Sequence, residues 1–396
     1  MWTTSASGDA GLTRSHPEPS PAVPGSAVAS SAGHHDTGWQ HLTPILWKII
    51  EGDSVGRGEL RALEAATRDD PLPAVFAPSG VVTDAATHER IDLLRIVGWP
   101  FAQWWTSYFV DGSVDVPVRD LWRLYLPLSE WILREKRRLR PDGLFMFGFN
   151  GSPGAGKTVL TNALAVLLNQ LLDRNEEGQA VARSGDDWYL GKRERERLVA
   201  LGYDPGLPGV SNRAAPGTHD LDWLRRNLHE MENSTPDSVI RMGNFDKKAD
   251  DQPTGENRYF VVRGKVGVFL FDLWFAGAET NVDPARLPDG LRRRVAESLR
   301  AWGSVFDRMD ALWSFAWPSF EQMVWEREAQ ERLVEARRGK RGMSPEQIRA
   351  FMTYMIERTW DWQTTSPIPP DHAITFRAWR DSNHTVTAVQ RGGRAS

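Results

Sequence analysis

The stretch from Gly148 to Leu160 reads GFNGSPGAGKTVL, and within it Gly151 to Thr158 fits the pattern G-x-x-x-x-G-K-[ST] in full. Few short patterns restrict a fold as much. Such a loop needs glycines that accept positive φ, so that successive backbone N–H groups turn toward one anion. It also needs a helix directly behind it, whose positive end points at the same anion. Both neighbours are legible. The apolar run LFMFGF precedes the loop as a strand, and Val159 to about Leu172 follows as a helix with Leu160, Ala163, Leu164, Leu167, Leu168 and Leu171 on one face.

Strand, glycine loop and helix in this order make Gly151, Ser152, Pro153, Gly154, Ala155, Gly156, Lys157 and Thr158 the candidate nucleotide contacts. Lys157 is expected to follow the β- and γ-phosphates, and the Thr158 hydroxyl to ligate Mg²⁺. The expected ligands are therefore ATP and Mg²⁺.

The rest of the chain divides by pattern. Residues 1–37 are dominated by Ser, Ala, Gly, Pro and His and read as a disordered tail, in which His34 and His35 are expected to be solvated. Residues 38–142 show helical periodicity between Gly, Pro and Asp clusters, with Trp47, Trp99, Trp104, Trp105, Trp122 and Trp131 expected in a core. The run REKRRLR at its end, Arg134 to Arg140, reads as a solvated helix terminus. From residue 143 to 396 short apolar runs alternate with helical stretches, which is the pattern of an α/β domain with a mainly parallel sheet. The expected architecture is thus an α/β P-loop fold preceded by an all-helical region. A formal net charge of -4 offers no global attraction for nucleic acid or an anionic membrane, so neither is an expected partner. With no cysteine, disulfides and thiolate zinc sites are excluded, and nothing resembles a secretion signal or a membrane-spanning run. The cytoplasm is the expected compartment.

Two later strands end in carboxylates. AVARS runs into GDDWYL, placing Asp186 and Asp187 where ligands bind in open α/β sheets, and KVGVFLFD ends in Asp272, the position of a metal-coordinating carboxylate. Adjacent carboxylates there suit an enzyme that takes a proton from an attacking hydroxyl, although a helix cap followed by a surface turn uses the same residues.

The set GSPGAGKT, SGDDWYL, NRAAPGTHDLDWL, GNFDKKADDQPTGENR, FLFDLWFAG and GKRGMSPEQIRAFMTYMI resembles the D-glycerate 3-kinase family, the glycerate kinases of plant and fungal type, over roughly Leu121 to Arg391. That family sits in the wider P-loop kinase group of phosphoribulokinase, uridine kinase and bacterial pantothenate kinase. The resemblance implies that Asp186 is the general base, with Asp187 beside it. It makes Arg213, Thr218, His219 and Asp220 candidates for gripping the acceptor, and Asp246, Lys247 and Arg258 further substrate contacts. A guanidinium clamps a carboxylate in bidentate fashion, so Arg213 suits an acidic acceptor; for His219 a loop-organising hydrogen bond is the alternative.

Two departures bear on the acceptor. Asp272, Leu273 and Trp274 stand where the family shows Glu-Gly-Trp, and Phe245 and Trp188 replace its tyrosine and phenylalanine. The residues from Phe320 to Ile356 resemble a lid around ARRGKRG, with Arg337, Arg338 or Lys340 closing on the phosphates, or else a solvated turn. The final AITFRAW and HTVTAVQ read as an edge hairpin with structural roles only. The expected activity is transfer of the γ-phosphoryl of ATP to a hydroxyl of a small, carboxylated, glycerate-like metabolite. A sugar, nucleoside or specialised-metabolite acceptor is one alternative, and a nucleotide-gated regulatory protein is another.

Overall fold

The computed structural model describes residues 38–109, 115–201, 203, 213–287, 290–338, 343–359, 371–381 and 383–392. The expected tail, with His34 and His35, lies outside these residues.

The chain opens with helices α1 (Thr43–Glu51), α2 (Arg57–Asp69), α3 (Pro71–Ala74), α4 (Asp84–Tyr108), α5 (Asp115–Asp120) and α6 (Leu126–Leu139), a π-helical turn at Leu121–Tyr125 joining the last two. Then come β1 (Phe145–Asn150), α7 (Lys157–Leu171), β2 (Gln179–Ser184), α8 (Lys192–Val199), α9 (Leu221–Glu232), β3 (Val239–Gly243), β4 (Tyr259–Arg263) and β5 (Val266–Asp272). The chain continues through α10 (Leu291–Phe306), β6 (Ala311–Phe315), α11 (Phe320–Arg338), α12 (Pro345–Thr353), β7 (Ile374–Arg380) and β8 (Val386–Gly392). The main sheet has the order β2-β5-β1-β6-β7-β8, parallel except for the edge strand β8, and β3 and β4 form a separate antiparallel pair. This is the expected α/β architecture with a mainly parallel sheet.

Central parallel strands are covered on both faces and so read as unbroken apolar runs. All six residues of β1 are buried. Their alternation sends Phe145, Phe147 and Phe149 into one core and Met146 into the other, and β5 does the same with Val268 and Leu270 against Phe269 and Phe271. The first core also takes in α7 and the N-terminal helices, whose Leu46, Ile49, Leu94, Phe101, Trp122 and Trp131 join it. Trp131 packs edge-on to Phe376 at 4.7 Å and tilted on Phe147 at 5.7 Å. The helical region therefore buries its apolar faces on the sheet instead of on itself alone. Trp122 and Trp131 are fully buried and Trp47, Trp104 and Trp105 are partly so, but Trp99 is about half exposed and stands outside the expected core.

The basic run at the end of α6 corrects the expectation in part: Arg137, Arg138 and Arg140 are about half exposed, but the run also acts as a clamp. Lys136 is buried with its ammonium on the Pro141 carbonyl at 2.6 Å, Arg137 forks onto Glu177 at 2.7 and 3.0 Å, and Arg140 reaches Asp310 at 2.9 Å. Asp310 in turn accepts the Met146 amide at 3.0 Å, so the clamp pins the start of β1.

The terminal hairpin also does more than close an edge. Arg380 at the end of β7 makes a two-pronged pair with Glu326 of α11, the second prong 2.7 Å long, and the two side chains are only 4% and 1% exposed. Breaking a buried pair from one side strands the other charge. Glu326→Ala is expected to cost about 3–5 kcal/mol in urea unfolding, whereas Glu326→Leu combined with Arg380→Met recovers most of it. Equal stability of the single variant and the parent would show that this pair does not hold α11 to the sheet.

Candidate active site

Parallel registry places three strand ends side by side. Phe149 of β1 faces Asp272 of β5, and Asp272 faces Ser184 of β2. The phosphate loop leaves β1 here with Gly154 and Gly156 at φ of 86° and 90°, conformations that an L side chain rarely adopts. Gly156 ends the loop as the residue capping α7. Above the loop, α11 approaches so closely that a Cβ on Gly154 would lie 3.5 Å from the Glu326 backbone.

The loop turns its polar groups inward. The Lys157 ammonium is buried and donates to the Gly151 and Ser152 carbonyls at 2.7 and 3.0 Å. Burial pushes its pKa below the usual lysine value, and the nearby Asp272 and Asp186 carboxylates oppose that shift. The Thr158 hydroxyl donates to Asp272 at 2.5 Å. Asp272 is buried, which raises its carboxyl above the usual range. The Ser152 hydroxyl is buried and has no hydrogen-bond partner among the described residues. A glycine cradle, a buried lysine, an orphaned hydroxyl and a hydroxyl–carboxylate pair fit a nucleotide phosphate with its Mg²⁺: Thr158 and Asp272 supply hard oxygen donors, and the loop supplies N–H groups.

Asp186 faces this cluster from a 3-10 turn, Gly185–Trp188, that continues β2. Its carboxylate meets the Lys247 ammonium at 2.7 Å and accepts from the Tyr189 hydroxyl. Burial acts to raise its pKa, but Lys247 and Tyr189 outweigh burial and hold the carboxyl well below the usual range. Asp187 behaves oppositely. It takes the Ser184 amide at 3.1 Å and pairs with Arg183 at 3.0 Å, and burial pushes its carboxyl up to about 6. Asp187 thus organises the turn, while Asp186 points into the site.

The acceptor candidates separate into two groups. Arg213, His219 and Lys247 lie around Asp186. Arg213 pairs with Asp250 at 2.9 Å and donates to the Lys247 carbonyl at 3.2 Å, with its guanidinium 5.8 Å from the Phe245 ring centre. His219 is boxed by Tyr189, Phe275 and Trp302 at 4.4, 5.7 and 5.2 Å, and among the described residues neither ring nitrogen has a hydrogen-bond partner. The loop-organising bond considered for it is therefore missing. The remaining candidates have other positions. Thr218 is buried and turns back onto the Ala215 carbonyl at 2.7 Å, and exposed Asp246 orders its own loop by accepting the Lys248 amide at 2.8 Å. Asp220 caps α9 through the Trp223 amide at 2.9 Å, and Arg258 lies over the Trp223 ring.

The two departures from the family pattern are absorbed by the core. Leu273 packs on Gly185, whose Cβ position lies 2.5 Å from the leucine methyl, and Trp188 is buried with its indole N–H on Asn227 at 2.9 Å. Only Phe245, under Arg213, stands near the acceptor candidates.

Two arginines escaped the sequence reading. Arg195, 1% exposed, donates to the Leu190 carbonyl at 3.0 Å and pairs with Asp250, so one carboxylate holds both Arg195 and Arg213. Arg327 of α11 pairs with Glu331 and lies close enough to Arg213 and Asp186 for their charges to act on it, while burial lowers its pKa. Both sit in charged runs, KRERERL and WEREAQERL, that look like solvated helix faces. The side chains of Arg337 and Arg338, and residue Lys340, lie outside the described residues. Arg327 is the described basic residue by which α11 faces the site.

No protein-family profile matches the sequence, and no curated protein matches it. Among solved structures, D-glycerate 3-kinase from Cryptococcus neoformans var. grubii serotype A is similar at 20% identity and a TM-score of 0.52, covering 68% of this chain and 99% of its own. The YGR205w protein is similar at 18% identity and a TM-score of 0.48 (70% and 97% covered), and a possible uridine kinase from Bacillus stearothermophilus at 13% and 0.30 (53% and 94%). The first likeness shows the fold alone, which this chain shares with that structure over 68% of its length.

Burial pulls the His219 imidazole from its usual 6.5 down to about 4. A depressed base binds its proton in the unfolded chain first, so stability is full above pH 6.5 and falls as pH drops toward 4. His219→Phe is expected to flatten that acid limb by up to roughly 3 kcal/mol, read as the difference in unfolding free energy between pH 7.5 and 4.5. An identical pH slope in parent and variant would refute a neutral, desolvated His219.

Proposed function

We propose that the protein is an ATP-dependent kinase that phosphorylates a hydroxyl of a small carboxylated metabolite. The observation that carries this reading is the position of Asp186, a carboxylate aimed at the phosphate loop and close enough to Lys157 to act on its charge. A nucleotide-gated switch has no use for such a group. The arginines around it favour an acidic acceptor: Arg213 presents a fork near Lys247, and its partner Asp250 is an internal stand-in for a carboxylate.

In this reaction the acceptor oxygen bonds to the γ-phosphorus, the bond to the β–γ bridging oxygen breaks, and the hydroxyl proton passes to Asp186. While Lys247 stays paired with it, Asp186 is a poor proton acceptor. Transfer of the Lys247 ammonium to the phosphoryl oxygens removes that pairing and raises the basicity of Asp186 at the moment of need. Lys157, leaving its loop carbonyls, meets the same oxygens. Thr158 and Asp272 would hold Mg²⁺, which when bound would supply further positive charge there. Arg327 approaches from α11, whose closeness to Gly154 helps keep water from the γ-phosphate.

A panel of hydroxy acids including D-glycerate, with sugars and nucleosides as a second arm, tests the proposal through acceptor-dependent ADP release. Turnover confined to sugars or nucleosides overturns the carboxylated acceptor. Slow hydrolysis that no acceptor stimulates overturns the kinase.

Variants divide the roles. Lys157→Ala is expected to lower kcat by about 10²–10³-fold or more, the usual loss for a preorganised donor. Asp186→Asn is expected to lower kcat by roughly 10²–10⁴-fold with nucleotide affinity nearly intact. Asp272→Asn instead raises the Mg²⁺ concentration for half activity, and excess Mg²⁺ restores part of the rate. Rescue of Asp186→Asn by Mg²⁺ would show that the two carboxylates have exchanged roles.

A further inference from the structure

A cleft of about 260 Å³ lies between α9 and the β3–β4 pair, and no residue of the phosphate loop lines it. Three arginines line it from three elements: Arg226 of α9, Arg241 of β3, and Arg258 at the end of the 3-10 turn Gly255–Arg258. Among the described residues none of the three has a carboxylate partner at ion-pair distance; Arg258 lies over the Trp223 ring, 5.2 Å away. This differs from the active site, where Arg213, Arg195 and Arg327 are all ion-paired.

The floor of the cleft is rigid. Trp223 and Asn227, 8% and 1% exposed, both donate to the Arg241 carbonyl, at 3.2 and 3.1 Å, and so fix the strand from which the Arg241 side chain leaves. Trp223 and Tyr259 stand edge to face at 6.0 Å and give one wall an apolar surface. Asp220 and Glu230 also border the cleft, each already taking one hydrogen bond, from the Trp223 amide and the Asn227 side chain. A carboxylate accepts several hydrogen bonds, so both keep room for ligand hydroxyls.

We propose that this cleft binds a small hydroxylated organic anion of the phosphate-monoester class, its oxyanion held by Arg226, Arg241 and Arg258 and its hydroxyls by Asp220 and Glu230. Guanidinium forks match phosphate geometry, and unpaired arginines offer their full donor set without first breaking an internal pair. The site is independent of the proposed reaction. It gives a phosphorylated metabolite a second place to act on the α9 and β3–β4 wall.

Calorimetric titration of glycerol 3-phosphate into the full chain tests this. Binding is expected in the parent, equal binding in Lys157→Ala, and a loss of about tenfold or more in Arg226→Ala combined with Arg241→Ala. Should that double variant fail to fold, single Arg226→Gln and Arg241→Gln variants carry the same comparison. Absence of binding at about 10 mM ligand, or an affinity that the arginine variants leave unchanged, overturns the site. A loss seen in Lys157→Ala also overturns it, by showing that the anion sits on the phosphate loop. Sulfate binding as tightly as glycerol 3-phosphate would overturn the role given to Asp220 and Glu230. Loss of ADP-releasing activity in an acceptor screen, with this binding intact, would count against the kinase alone.

Discussion

The hydrogen bond from Thr158 to Asp272 joins the first turn of α7 to the last residue of β5, and the candidate active site is assembled around it. It exists because β1 and β5 pair in parallel with Phe149 opposite Asp272. A slip of one residue would turn Asp272 to the other face of the sheet and bring Phe271 to the strand end. The register is held by the alternation that fills both cores, with Phe145, Phe147 and Phe149 on one side and Met146 on the other. The same register sets Ser184 beside Asp272, and so places Asp186 two residues beyond a fixed strand end. Apolar packing deep in the sheet thereby positions charged groups at its edge.

Those charged groups are paired internally. Lys247 rests on Asp186, Arg213 on Asp250, Arg327 on Glu331, and Lys157 on carbonyls of its own loop. Each arrangement satisfies a buried or half-buried cation with a partner inside the protein, which an incoming phosphate or carboxylate can replace without leaving the cation unpaired. Asp250 is the clearest case: it holds Arg195 and Arg213 together over Phe245. Arg195 is almost fully buried and serves as scaffold; Arg213, a quarter exposed, is the one able to turn to a ligand.

The helices before β1 belong to the same physical problem. A parallel sheet needs both faces covered. Here α9 and α10 cover one face, while α7 shares the other with helices that precede the first strand in the chain. Trp131 and Phe76 reach across to Phe376 and so link these helices to β7. From β7, Arg380 reaches Glu326 and holds α11 over the phosphate loop. The N-terminal region thus supports, at one remove, the helix that closes the site.

Much of this was legible in the sequence, for reasons that are local. The phosphate loop needs positive φ at Gly154 and Gly156, and only a short list of residues permits it, so the pattern announces the structure. The central strands β1 and β5 are buried along their whole length, so their apolar runs stand out; β5 ends in Asp272, and Asp186 follows the end of β2 by two residues. What sequence could not supply were contacts between distant segments. The run at Arg134 to Arg140 has the composition of a solvated terminus, yet Glu177 and Asp310, far along the chain, make it a clamp. Asp220 and Arg258 are themselves acceptor candidates in the sequence, yet helix capping and ring contact draw them to a separate cleft with Trp223. Arg195 and Arg327 look like ordinary surface charge, and only the folding of α8 and α11 against the site shows otherwise. Local conformational demands were written in the residues themselves; the pairing of charges was decided by the tertiary structure, because a charge is read by its neighbours in space and not by its neighbours in the chain.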